Sequence, residues 1–130
     1  MQINASICLA DQAIDEFVAE ILNNLPECSM SLKCIKWDYK NVCFEFIDPE
    51  DDEGGNDLKL TLAKAREGFE VLMRLALEGK FYASGWDVGP LITYHQRKSK
   101  ERLMDWAGDW DATVVDALVQ CSLFGDVIYG

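Results

Sequence analysis

The sequence predicts an α+β fold: a small antiparallel sheet with three to four helices packed on one face. Three observations carry this. An early segment repeats its apolar residues at helical spacing, a middle segment alternates with the period of strands, and the second half returns to helical spacing. The 130 residues form one domain, 1–130, long enough to bury a core without disulfides or metals. No internal repeat and no long linker divides the chain.

Met1 to Leu9 alternates roughly and reads as a strand, although Ser6 is also a fitting cap for an early helix. From Asp11 to Asn24 the spacing predicts a helix. Ile14, Phe17, Val18, Ile21, Leu22 and Leu25 form one stripe, Asp11 caps it, and Pro26 prevents continuation. Leu32–Tyr39 and Val42–Ile47 read as two strands of a hairpin, with Ile35 and Trp37 facing the same way as Phe44 and Val42. Leu58, Leu60 and Leu62 alternate as a third strand. Near Thr61 the period changes, and Leu62, Ala65, Phe69, Leu72 and Ala76 predict a helix that ends at Gly79.

Gly68 lies inside that helix and implies a close helix-to-sheet contact. Gly85, Gly89 and Pro90 make the stretch from Phe81 to His95 irregular. A short helix capped by Ser99 and stopped by Gly108 follows. The last helix starts near Asp111, carries Val114, Ala117, Leu118 and Cys121 on one face, and stops at Gly125. The final DVIYG is either a short strand or a packed tail.

Charge bounds the function. There are 23 acids and 12 bases, a formal net charge of −11. Direct binding to nucleic acid or to an anionic membrane is disfavoured, and a basic partner is favoured. The imbalance is uneven. Met1 to Ala63 holds 13 acids and 4 bases, or −9; Lys64 to Gly130 holds 10 acids and 8 bases, or −2.

The acidic residues concentrate in DPEDDEGGND, which contributes Asp48, Glu50, Asp51, Asp52, Glu53 and Asp57. An EF-hand register fails there. Gly54 at the sixth position puts Pro49 first and Leu60 twelfth. Gly55 at the sixth puts Gly54 fifth and Thr61 twelfth. The stretch is therefore read as a strand-to-strand loop whose charges, with Asp15, Glu16 and Glu20 on the first helix, make a negative recognition face.

Catalytic signals are weak. His95 is the single histidine, no phosphate-cradling glycine loop occurs, and no cysteine pair has metal-knuckle spacing. Cys8, Cys28, Cys34, Cys43 and Cys121 read as small buried hydrophobes in a reducing compartment, hence a cytoplasmic protein. The N-terminus lacks the pattern of a signal peptide, and no apolar run is long enough to span a membrane.

The C-terminal DWDATVVDALVQCSLFGDVIYG resembles the ends of small acidic proteins of bacteriophages and prophages, over Asp111 to Gly130 above all. The resemblance implies a phage or mobile-element accessory protein and supplies no active residues. Anti-CRISPR proteins and toxin-immunity proteins are similar in size and charge.

The leading expectation is a non-enzymatic inhibitor or interaction module with no cofactor and no metal. Its acidic first half would meet a basic surface of a partner protein, such as a nuclease or another nucleic-acid-binding protein. A second expectation places binding on the aromatic segment through Trp86 and Tyr94, residue types that anchor interfaces. A third is a carboxylate-metal hydrolase using Asp109, Asp111 or the acidic loop. The basic run Arg97, Lys98, Lys100 and Arg102 would pair with acidic surface, its own or that of a second copy in a homodimer.

Overall fold

The computed structural model describes residues 12–23, 32–47 and 58–128. The expectations for Met1 to Leu9, for the Asp11 cap and for the acidic loop fall outside these residues. The fold is α+β: one three-stranded antiparallel sheet and, among the described residues, five α-helices.

Helix α1 spans Gln12–Leu22, and its stripe of Ile14, Phe17, Val18, Ile21 and Leu22 is buried. The sheet follows as β1 (Lys33–Asp38), β2 (Cys43–Ile47) and β3 (Leu58–Thr61), in spatial order β1-β2-β3. Phe44 faces Leu60 on one side and Trp37 on the other, while Phe46 faces Leu58 and Cys34. Phe44, Phe46 and Leu60 are buried, whereas the intervening Lys59 is exposed, as period-two alternation requires.

The hairpin differs from expectation at Ile35. The register shifts between Cys34 and Lys36, so Cys34 stands opposite Phe46 and Ile35 is the extra residue of a bulge. The turn between β1 and β2 is held by Asp38. Its carboxylate accepts from the Lys40 N–H at 3.1 Å, the Asn41 N–H at 3.2 Å and the Asn41 side-chain amide at 2.7 Å. These bonds, those from Asn41 foremost, hold the Asp38 carboxyl below its ordinary range. They also hold a turn in which Val42 adopts φ 49°, a costly value for a β-branched residue.

β3 passes into helix α2 (Leu62–Leu77) without a loop. Thr61 closes the strand and caps the helix, its hydroxyl accepting from the Lys64 N–H at 3.3 Å. Gly68 does mark a close approach, but to a helix and not to the sheet. A Cβ there would lie 2.0 Å from Ser122 Oγ and 2.5 Å from the Ser122 Cα and N. The partner element is α5 (Ala112–Phe124), the helix packed most extensively on α2. Gly79, at φ 74°, ends α2 with its N–H on the Ala76 carbonyl.

The segment expected to be irregular contains helix α3 (Gly89–Arg97). Pro90 lies in its first turn, where the missing N–H costs nothing and the fixed φ suits a helix. Asp87 accepts from the Gly89 N–H at 2.7 Å, and Leu91 and Tyr94 are buried one turn apart. Ser99 caps α4 (Lys100–Asp105), which tightens into a 3₁₀ turn over Trp106–Asp109. Asp111 caps α5, accepting from the Val114 N–H at 3.1 Å, and Gly125 ends it at φ 76°. From Asp126 to Ile128 the chain continues outside any helix or strand. Gln120, buried on α5, accepts from the Ile128 N–H at 2.8 Å and donates to Asp116 at 3.0 Å.

Candidate functional site

The aromatic core positions everything else. Trp106 and Trp110 are four residues apart and reach the same face by way of the 3₁₀ turn. Phe17 stacks on Trp106 with centroids 5.2 Å apart, Trp86 stacks on its neighbourhood at 5.9 Å, and Phe69 stacks on Trp110 at 6.0 Å. Edge-to-face contacts close the cluster, with Trp106 and Trp110 crossing at 80°.

Trp86 therefore lies in the core at 7% exposure, and Tyr94 at 5%. Neither presents the exposed anchor that the aromatic-segment expectation needs. Trp86 is drawn in because Gly85, at φ 76°, turns the chain so that Ala83 and Trp86 form a bridge and the indole meets Phe81, Trp106 and Trp110.

The acids of α1 are partly spent internally. Arg66 Nε lies 2.7 Å from Asp15 Oδ1, a close ion pair without the alignment of a hydrogen bond. Lys100 pairs with Glu16, which also accepts from the Gln12 amide at 3.4 Å. Glu20 is exposed. Asp48, Glu50, Asp51, Asp52, Glu53 and Asp57 lie outside the described residues. The basic run is divided: Lys100 serves Glu16, Lys98 lies over the Tyr94 ring at 5.3 Å, and Arg102 turns to a pocket.

That pocket holds about 280 Å³ and is lined by Pro90, Thr93, Arg102, Asp105, Trp106 and Asp109. Asp111 accepts the capping bond of α5 through Oδ1, while Asp109 lines the pocket. Among the described residues, no three His, Cys, Asp or Glu side chains converge as metal ligands. Of the described thiols, Cys34 and Cys43 are half-buried and Cys121 is buried. Burial, then the nearby Asp126 carboxylate, pushes the Cys121 thiol up to about 12, which keeps it protonated and inert.

The surface missed by sequence reasoning is the outer edge of β1. Ile35, Trp37 and Tyr39 are 51%, 49% and 45% exposed. Lys33, Lys36 and Lys40 interleave with them. Among the described residues β1 pairs only with β2, so no described strand takes up the backbone groups of its far side. Lys36 reaches back to Glu45 across the strand pair at 3.8 Å, yet its side chain is 80% exposed. A signal was present in KCIKWDYK, since lysines spread through a short apolar strand are a mark of an edge.

No protein-family model matches the chain, and no curated protein or solved structure does. Among the described residues, no helix is long and apolar enough to cross a membrane.

Proposed function

We propose that this is a non-enzymatic interaction module of the cytoplasm, an inhibitor whose negative surface occupies a basic, nucleic-acid-binding surface of a partner protein. One observation carries the reading. The chain has 23 acids against 12 bases, so a surplus of eleven acids survives whatever internal pairs form. Residues 1–32 contain five acids and no base, and Asp48 to Asp57 contain six acids and no base. Arg66 and Lys100 offset Asp15 and Glu16, so the weight of the proposal moves to Glu20 and to the acidic stretch. The phage or prophage setting implied by the C-terminal resemblance belongs to the same proposal.

The test begins with affinity capture of the partner from host lysate and continues with the purified pair. Association is expected to slow steeply as salt rises, because exposed charges steer encounter over roughly a Debye length, about 8 Å at 0.15 M. Combining Asp51→Lys, Asp52→Lys and Glu53→Lys is expected to slow it further. A complex indifferent to both salt and the triple reversal would sink the electrostatic reading.

A further inference from the structure

Trp37 is the one tryptophan the core leaves half exposed, and it sits in the middle of a strand edge that pairs with no other described strand. We propose that this edge pairs antiparallel with the same edge of a second copy, about a two-fold axis through Trp37. This surface is separate from the acidic one and does not depend on it.

The argument is self-complementarity. In antiparallel pairing about a two-fold, directly opposed residues share a face and each contact off the axis occurs twice. An axis through Trp37 sets Trp37 against Trp37 of the second copy and, on either side of it, Lys36 against Asp38, one aromatic pair and two charge pairs of the kinds that stabilise sheets. Neighbouring registers do the reverse. An axis through Lys36 opposes two lysines, and an axis through Asp38 opposes two carboxylates. A one-residue slip sets Trp37 against a charged residue of the opposite sheet face. Among the short registers available to β1, only the first matches both charge and ring.

Among the described residues, no element covers this edge. Helices α2 and α5 contact β3, at the other side of the sheet, while β1's main contacts are with β2. Trp37 stands opposite buried Phe44 yet keeps half its surface, so it marks the uncovered corner of the apolar face. Tyr39, edge-on to Phe44 with centroids 6.1 Å apart, extends the same corner. The bulge at Ile35 confines regular pairing to Lys36–Asp38. Three residues a side bury less than the roughly 1,200 Å² of a standard stable interface, so the dimer is weak, with a dissociation constant in the micromolar-to-millimolar range. At about 0.15 M salt the screening length is near 8 Å, so the net charge of each copy is damped and the contact pairs decide.

Sedimentation of the full chain from about 1 μM to about 1 mM tests this, with circular dichroism at low concentration verifying that every variant folds. The wild type is expected to shift from monomer to dimer across the range. Trp37→Thr, which keeps a strand-forming residue, is expected to weaken association at least about tenfold. Lys36→Glu is expected to abolish it, since it sets a carboxylate against Asp38 of the second copy. The same substitution combined with Glu45→Lys keeps the cross-strand ion pair within each copy and is still expected to stay monomeric, whereas loss of that internal pair alone would let the double variant recover. A wild type that stays monomeric, a Trp37→Thr variant that associates as tightly, or a Lys36→Glu, Glu45→Lys variant that still dimerises overturns the proposal.

Discussion

Tryptophan has two fates in this chain, and the contrast between the aromatic nest and the β1 edge explains both. Trp86, Trp106 and Trp110 arrive from a glycine turn and a 3₁₀ turn, and helices α1 and α2 supply Phe17 and Phe69 to close around them. Trp37 arrives on the edge of a three-stranded sheet, with β2 on one side and no described strand on the other. Local chemistry is similar in the two places: both tryptophan-bearing segments mix aromatic residues with charge. The difference lies in closure. Helices bring side chains from several directions, whereas an open sheet always leaves two edges.

The comparison breaks first at Trp106. It is 2% exposed and stacks with Phe17 and Trp86 while meeting Phe69 and Trp110 at steep angles. Trp106→Ala is expected to cost about 3–5 kcal/mol through lost burial and the cavity left behind. Chemical denaturation followed by circular dichroism measures it. A cost below about 1 kcal/mol would mean that the nest is not the anchor of the helical layer.

Next in size is the α2–α5 crossing. Gly68→Ala forces a Cβ against the Ser122 backbone at 2.5 Å, which cannot yield as a flexible side chain tip would. The helix itself would favour alanine by about 1 kcal/mol, so the net sign distinguishes packing from propensity. Overpacking costs about 1–3 kcal/mol or more and is expected to win. Ser122→Ala removes the hydroxyl but not the backbone atoms, so it is not expected to rescue Gly68→Ala. Denaturation midpoints of the two single variants and the double variant decide this.

Much of the framework was legible because it rests on local rules. The stripe of α1, the Thr61 change of period, the caps at Ser99 and Asp111 and the stops at Gly79 and Gly125 are each dictated by neighbours a few residues away. The failures were non-local or ambiguous. Gly89 and Pro90 read as breakers, yet proline in a first turn starts a helix as readily as it ends one. Gly68 announced a close contact without saying with what. The choice between Trp37 and Trp86 as the exposed aromatic could not come from periodicity, since it depends on which strand is the edge and how far the helices reach. Alternation places Ile35 on the same face as Trp37 and Phe44, and it misses the bulge because a bulge adds one residue to a strand without altering its composition.

The smallest stability effect is expected at Trp37, and it sharpens the contrast most. Its side chain is half exposed at the sheet corner, so Trp37→Ala, measured below the association range, is expected to cost no more than about 1 kcal/mol. The same truncation at Trp106 is expected to cost several times that. Fluorescence gives an independent reading of the two sites. Trp37 is expected to supply most of the acrylamide-accessible emission, and Trp37→Ala to remove it while leaving the quencher-resistant emission of Trp86, Trp106 and Trp110. If Trp37→Ala instead destabilised the fold as strongly as Trp106→Ala, the β1 edge would belong to the core's support. Its exposed ring would then be a consequence of hairpin packing, and a tryptophan at that corner would need no partner to explain it.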